Sequence, residues 1–164
     1  MAAIDLFLFE EDHAALQKAA SELLHESEAN AVFLIDKNGQ QLTAVGEYDN
    51  IDTTSLATLT AGNVAATDGL AKLLGERGFT ILFHEGEQDN IHISIVGELA
   101  ILVVIFNEKT SVGMVRLRVK QTTEKLENIL LSALEKRKSQ KKEVVDEGRS
   151  KLADITDEDI ENLF

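Results

Sequence analysis

The fold class follows from residues 31–45, which have the sequence AVFLIDKNGQQLTAV. The first five of these residues form an unbroken apolar run, which is typical of a buried strand. Asn38 and Gly39 then form the dipeptide that most favours a tight hairpin, because both residue types tolerate a positive φ angle. Residues 41–45 are predicted to return as the second strand. We therefore expect an antiparallel pair of strands joined by a hairpin.

Helical patterns lie on both sides of this hairpin. Apolar residues recur at helical spacing over residues 10–28, which predicts a helix before the first strand. After the second strand, Asp52 is a favourable N-cap for a long helix over residues 53–76. Gly75 and Gly78 supply the C-terminal stop of that helix.

The second half of the chain is predicted to supply three more strands and a last helix. The three strands are expected at residues 80–84, 91–95 and 99–106. Isoleucines alternate with His92 and Ser94 in the middle strand, which is typical of a half-buried strand. Thr110 or Ser111 is expected to cap the last helix. Its apolar seam has steps of three and four residues and consists of Val112, Val115, Val119, Thr122, Leu126, Ile129 and Ala133.

The predicted order is αββαβββα. Because short connections join the strands, we expect an α+β fold with a five-stranded, mainly antiparallel sheet and flanking helices. We assign residues 1–134 to this domain. Residues 135–151 are rich in charge and poor in apolar side chains, and they are predicted to be a charged flexible linker. Residues 152–164 are predicted to contain a short amphipathic helix.

Composition excludes several classes of function. The 164 residues carry a net charge of -13, which argues against a general nucleic-acid-binding or anionic-membrane surface. The absence of cysteine excludes disulfides, thiol nucleophiles and thiolate metal sites. The start of the chain lacks the features of a signal peptide, and the longest apolar run is far shorter than the roughly 20 residues of a membrane-spanning helix. We expect a cytoplasmic protein without direct membrane insertion.

The residues that could carry catalysis are few. The chain has neither a phosphate-binding loop of the P-loop type nor a Gly-x-Ser-x-Gly motif. The four histidines show no metal-ligand spacing, and exposed or half-buried polar roles are expected for them. We therefore predict that the protein is not an enzyme and has no cofactor and no metal. The four histidines are His13, His25, His84 and His92.

The middle helix is the most informative element. At 100° per residue, one face holds Leu56, Leu59, Asn63, Ala66, Leu70 and Leu73, and we expect this face to pack on the sheet. The opposite face is small and nearly uncharged, unlike a face that only meets solvent. It is predicted to contact another protein, and its residues are Ala57, Thr58, Ala61, Ala65, Asp68, Gly69 and Lys72. The alternative is that other elements of the chain cover this face.

The C-terminal residues 155–164 have the sequence ITDEDIENLF. Thr156 can cap a helix there, and Ile155 and Ile160 are placed as a hydrophobic staple. A helix this short is marginal alone, so we expect it to dock in a groove of a partner. The alternatives are packing against its own domain, or fraying.

Several blocks of this sequence resemble MglB-type proteins of the roadblock/dynein light chain family. The blocks occur in one order: VFLIDKNGQ at 32–40, NIDTTSLA at 50–57, LTAGNVAA at 59–66, FHEG at 83–86, LVVIF at 102–106 and ITDEDIENLF at 155–164. The resemblance covers residues 4–134 and then the last ten. The stretch between them is similar only in character.

The resemblance implies a regulator, namely a GTPase-activating protein for the GTP-bound form of a small Ras-like GTPase of the MglA type. It implies a homodimer that works without an arginine finger by repositioning the GTPase's own catalytic residues. Cell polarity, gliding motility and a bacterial source are implied too. The resemblance leaves enrichment at a cell pole open.

The resemblance also assigns candidate contact residues. Ala61, Ala65 and Gly69 match the family helix that pairs with a second copy and receives the GTPase, and we add Ala57, Asp68 and Lys72 from the same helical face as candidate contacts. For the C-terminal contact with the GTPase, the resemblance points to Ile155, Ile160, Leu163 and Phe164, and we add Asp157 from the start of the predicted helix. The resemblance leaves open whether this second contact promotes nucleotide exchange. The alternative function is a roadblock-family scaffold that stimulates nothing.

Overall fold

The computed structural model describes residues 8–153, residue 158 and residues 161–162. It confirms the predicted fold class and the predicted order of elements. The elements are α1 (Glu10–Ser27), β1 (Ala31–Asp36), β2 (Gln41–Gly46), α2 (Thr53–Leu74), β3 (Ile81–Glu85), β4 (Asn90–Val96), β5 (Ala100–Phe106) and α3 (Val112–Ala153). No helix in the described part of the chain is long and apolar enough to span a membrane.

The strands form one sheet in the order β2-β1-β5-β4-β3. All four strand pairs are antiparallel. Every residue of β1 is buried, and β5 is buried at all but one position, so these adjacent strands form the middle of the sheet. The edges are β2 and β3. Because β1 and β5 are covered on both faces of the sheet, their sequences are continuous apolar runs rather than alternating ones.

The hairpin after β1 is confirmed, but its turn differs from the one expected. Gly39 alone has a positive φ angle there, +87°, whereas Asn38 does not. The Gly39 N–H donates to the Asp36 carbonyl at 3.1 Å, and the Asp36 carboxylate accepts from the N–H groups of Asn38 and Gln40, each at 2.9 Å. The side chain of Asp36 therefore organises the turn, and a single glycine supplies the left-handed conformation.

Two helices cover one face of the sheet. Leu16 and Leu23 of α1 and Val119, Leu126 and Leu130 of α3 pack on this face. The two helices run antiparallel and are joined by ion pairs at their exposed rims, Glu22–Lys125 at 3.0 Å and Glu11–Lys136 at 2.6 Å. Ser111 caps α3, because its Oγ accepts from the Met114 N–H at 3.2 Å. Of the two predicted caps, Ser111 is therefore the one used.

Strand β4 is more deeply buried than expected. His92 and Ser94 point to the α3 face and are buried, whereas Ile91 and Ile95 on the other face are only half-buried. The expectation of an exposed or half-buried His92 is therefore wrong. Burial lowers the pKa of the His92 imidazole, and the positive charge of Arg116 lowers it further. Neither ring nitrogen has a hydrogen-bond partner within the described residues.

The last helix continues much further than predicted. Residues 135–151, which were expected to form a flexible linker, are helical, and α3 is 42 residues long. Lys136 of α3 forms ion pairs with Glu11 and Asp12 near the start of α1. The rest of α3 projects past the start of α1, because α1 begins at Glu10. The part of the chain predicted to be a linker is therefore a helical extension of α3 as far as Ala153.

Candidate protein-contact surface on the central helix and the edge strand

Local signals in the sequence fix α2 at both ends. The Asp52 carboxylate accepts from the Ser55 N–H at 3.1 Å and from the Ser55 hydroxyl at 2.7 Å. These hydrogen bonds lower the pKa of Asp52. At the other end, Gly75 adopts a left-handed conformation, with φ at +71°, and its N–H donates to the last carbonyls of the helix. Both caps confirm the sequence prediction, and the helix between them has 22 residues, or about six turns.

The face of α2 that packs on the sheet is the opposite of the one predicted. Ala57 is 2% exposed and lies on the sheet with Val64, whereas Leu59 is 72% exposed and Leu73 is 83% exposed. The expectation that the leucine face forms the core is therefore wrong. Small and β-branched side chains let α2 approach the sheet closely, and the long side chains remain outside. The buried residues of α2 are Ala57, Thr60, Val64, Thr67 and Ala71.

The candidate contact residues divide between these two environments. Ala57 is buried and Ala61 is half-buried, and both lie beside the β1–β2 turn, where a Cβ on Gly39 would meet Ala57 and Ala61. The other four candidates of the set are exposed, and they are Ala65, Asp68, Gly69 and Lys72. We call these four the small strip. Their contact role stays a prediction.

A second exposed strip lies next to the small strip on the outer side of α2. It has no charge, and its residues are Leu59, Gly62, Ala66, Leu70 and Leu73. We call this set the leucine strip. A Cβ placed on Gly62 or Gly69 would meet no described atom within 4 Å, so close packing inside the described chain does not require either glycine. Large exposed apolar surfaces of this kind mark protein-contact sites. Because the spacing of the leucines predicts a core face, the sequence does not indicate this exposed strip.

The edge strand β3 exposes a separate pair of apolar side chains. Ile81 and Phe83 are exposed on the face that carries α3, and β3 pairs with β4 alone among the described strands. On the other face, the amide nitrogen of Asn63 on α2 lies 3.0 Å from Nε2 of His84 on β3. The helix and the edge strand are therefore connected directly. An edge with apolar side chains and unpaired backbone groups can pair with another strand.

Charged groups border the C-terminal half of α2. A groove there is lined by Lys37, Lys72, Arg77, Asp68 and Glu98, together with apolar side chains such as Phe79 and Ile95. Arg77 lies in the exposed turn between α2 and β3. No group of three or more metal-binding side chains exists among the described residues. The groove is suited to recognition of a partner by charge and shape.

The C-terminal contact residues lie mostly outside the described part of the chain. Ile155, Asp157, Ile160, Leu163 and Phe164 are not described, so their role stays a prediction. Nearby, the Asn162 N–H donates to the Glu158 carbonyl at 3.1 Å, which is a helical hydrogen bond. The amphipathic helix expected for residues 152–164 stays a prediction.

Comparison with known families and structures gives one consistent result. The Roadblock/LC7 domain matches residues 16–106. The solved structure of Myxococcus xanthus MglB has a TM-score of 0.74 and 48% identity, and the match covers 78% of this chain and 96% of that one. The gliding protein MglB from Thermus thermophilus has a TM-score of 0.75 and 34% identity, covering 80% of this chain and 99% of that one. A search of curated proteins found no match.

Proposed function

The chain belongs to the Roadblock/LC7 family, and from this premise we propose that it is a GTPase-activating protein for a small Ras-like GTPase of the MglA type. Family membership indicates a regulator rather than a catalyst. The observation that carries the proposal is the exposed, almost uncharged surface of α2. The similarity to two MglB structures at 48% and 34% identity supports it.

We infer that the two strips of α2 serve different partners. The leucine strip suits a second copy of the chain, because a two-fold dimer would bury the leucines of both copies, and the open edge of β3 is a second place at which two copies can pair. The small strip lies beside the charged groove of Lys37, Lys72 and Arg77. This mixture of small and charged groups suits a partner that binds and dissociates reversibly, which we take to be the GTP-bound GTPase.

The proposed mechanism is selection of a GTPase conformation. A regulator accelerates hydrolysis when it binds the state in which the catalytic groups of the GTPase are aligned better than it binds the other states. A rigid helix that is capped at both ends and packed on a sheet presents a fixed shape for such selection. The activator therefore contributes a shape, and the GTPase contributes the reacting groups.

Single-turnover GTP hydrolysis by the cognate GTPase tests the proposal. Ala65→Arg with Gly69→Arg places two long cations on the small strip, so we expect a folded protein that no longer accelerates hydrolysis. Ala14→Arg, at an exposed position of α1, is the matched control and should keep full acceleration. Binding without acceleration would contradict the activator and leave the scaffold.

Arg77 provides a second discriminating variant, because it is an exposed arginine close to the proposed GTPase surface. An inserted arginine accelerates GTP hydrolysis by about 10³-fold or more. Arg77→Ala should therefore keep acceleration within a few-fold if shape selection operates. Loss of three orders of magnitude with binding intact would identify an arginine finger instead.

A further inference from the structure

We propose that the projecting part of α3 docks an acidic amphipathic helix of a partner protein, on a basic strip that points away from α1. The strip consists of exposed side chains in the described part of α3, and nothing in the proposed GTPase mechanism uses it. We call this set the basic strip, and its residues are Lys138, Lys141, Lys142, Val145 and Arg149.

The basic strip concentrates positive charge in an acidic chain. Residues 136–142 have the sequence KRKSQKK, with basic residues at five positions and no acidic residue, whereas the whole chain carries a net charge of -13. Among the described residues, none of the four cations of the strip has an ion pair, unlike Lys125 and Lys136, which pair with acidic residues of α1. These four cations are therefore available to a partner.

Helix geometry places the strip on the side of α3 that faces away from α1. Lys136 faces α1, because its Nζ lies 2.6 Å from the Glu11 carboxylate. Val145 follows Lys136 by nine residues, which is about two and a half helical turns, so it points in the opposite direction. The four cations lie within about 60° of Val145 around the helix axis. The acidic residues of this part of α3 lie about 80° or more from Val145, and they are Glu135, Glu143, Asp146 and Glu147.

The spacing within the strip is typical of a surface that packs on another helix. Steps of three, four and three residues separate the seam positions of paired helices, and the same steps separate residues 138, 141, 145 and 148. Val145 is 47% exposed and gives the strip an apolar centre. A Cβ added at Gly148 would meet no described atom within 4 Å, so this glycine lets a partner helix approach closely. The strip is about 16 Å long, or about three helical turns.

The distribution of charge favours a narrow partner. An α-helix is only about 10 Å wide, so an extended anionic surface, such as a membrane or a nucleic-acid duplex, would also come close to the acidic side of α3. Because the Debye length at physiological ionic strength is about 8 Å, the resulting repulsion would be only partly screened. A single acidic helix, by contrast, contacts the strip alone. The strip also lacks the aromatic side chains that are typical of membrane-surface helices and of sites for single-stranded nucleic acid.

Binding of a designed peptide to the full chain tests the proposal. The probe is a fluorescein-labelled helical peptide of about three heptads, with leucines at the seam spacing and glutamates on both sides of them. The control peptide has the same composition in scrambled order. We expect fluorescence anisotropy at physiological salt to show saturable binding of the ordered peptide and about tenfold weaker binding of the scrambled one. Equal affinity for the two peptides would overturn the proposal.

Removal of charge from the strip locates the binding site. The triple variant Lys138→Gln, Lys141→Gln and Lys142→Gln carries side chains that favour a helix as well as lysine does, so α3 should remain intact. This variant should bind the ordered peptide about tenfold more weakly, because each exposed ion pair contributes up to a few-fold in affinity.

A matched triple variant removes the same charge elsewhere. Lys18→Gln, Lys109→Gln and Lys120→Gln change exposed lysines outside the strip. Since these positions lie away from the docked helix and are screened by salt, the affinity should stay within about twofold of that of the natural chain. Equal losses in the two triple variants would overturn the proposal, because the peptide would then respond only to the charge of the whole chain.

Val145→Gln distinguishes helix docking from attraction by charge alone. This variant keeps every charge of the strip but lacks its apolar centre, so the affinity for the ordered peptide should fall about three- to tenfold. An unchanged affinity would overturn the proposal.

Two other anionic partners complete the test at the same salt concentration. They are vesicles of phosphatidylcholine with phosphatidylglycerol and a short DNA duplex. If the natural chain binds either of them as tightly as the ordered peptide, the partner is not an acidic helix and the proposal is overturned. The strip lies on α3 and not on α2, so the proposed function is tested separately. GTP hydrolysis stimulated through α2 should be the same for the natural chain and for the strip variant.

Discussion

The two faces of the sheet are built differently. On one face, α1 and α3 lie side by side and bury large aliphatic side chains of β1 and β5, among them Leu34 and Leu102. On the other face, α2 alone packs on the sheet through small side chains such as Ala57 and Val64. Helices of the same chain cover the first face, whereas on the second face the long leucine side chains of α2 are exposed to solvent.

This difference separates stability from recognition. The α1/α3 face supplies most of the burial of large side chains and so most of the hydrophobic stabilisation. The α2 face contributes less hydrophobic stabilisation, because the exposed leucines of α2 remain in contact with water. We infer that the second face is kept for a partner.

The largest effect should come from matched leucine truncations on the two faces. Leu102→Ala removes a fully buried side chain and should lower the free energy of unfolding by about 2–5 kcal/mol. Leu73→Ala removes an exposed one and should leave the stability of the isolated chain nearly unchanged. Leu73→Ala should instead weaken the proposed homodimer. Chemical denaturation measures the stability of the chain, and light scattering at several concentrations measures the association. Equal losses of unfolding free energy in the two variants would contradict the assignment of stability to the α1/α3 face and of recognition to the α2 face.

The strands were predictable from the sequence because their burial makes the pattern unambiguous. A run such as residues 31–35 must be buried on both sides, and this places β1 in the middle of the sheet. The caps Asp52 and Gly75 were predictable for a different reason, since they act through local backbone groups. Such signals do not depend on the rest of the fold.

The orientation of α2 was not predictable because the helix is apolar on nearly all sides. Periodicity identifies a buried face by its contrast with a polar one, and α2 offers little contrast between its leucines and its alanines. The burial of His92 was missed because a polar residue in an alternating strand normally faces solvent. The sequence does not show that α3 covers the face of β4 that carries His92 and Ser94.

The second-largest effect should appear at Gly46, where the backbone is tightly packed beneath α1. Its φ angle is +98°, and an added Cβ would overlap the Asn30 carbonyl oxygen and lie 3.0 Å from Leu24 Cδ1. Gly46→Ala should therefore destabilise the fold by about 2 kcal/mol or more. Urea unfolding measures the loss. An unchanged midpoint would show that the covered face is looser than its geometry indicates.

Acid should weaken the same covered face through His92. Because burial lowers the pKa of the folded imidazole below its usual 6.5, the unfolded chain binds a proton more readily as the pH falls. This contribution to stability is present above pH 6.5 and is lost progressively as the pH falls from there toward the folded pKa. We expect His92→Leu to flatten the decline in unfolding free energy between about pH 7 and pH 5. An equally steep decline in His92→Leu would show that His92 does not cause the acid sensitivity.

The smallest effect should come from glycine on the open face. Gly69 lies in a regular helix, and an added Cβ meets no described atom within 4 Å. Gly69→Ala should therefore stabilise α2 by about 0.5–1 kcal/mol, because alanine loses less backbone entropy on forming a helix. Thermal unfolding of the isolated protein measures this gain, and Gly62→Ala provides a second open position for comparison. A destabilised Gly69→Ala protein would mean that a second copy packs directly on the small strip, and the division of α2 between two partners would then fail.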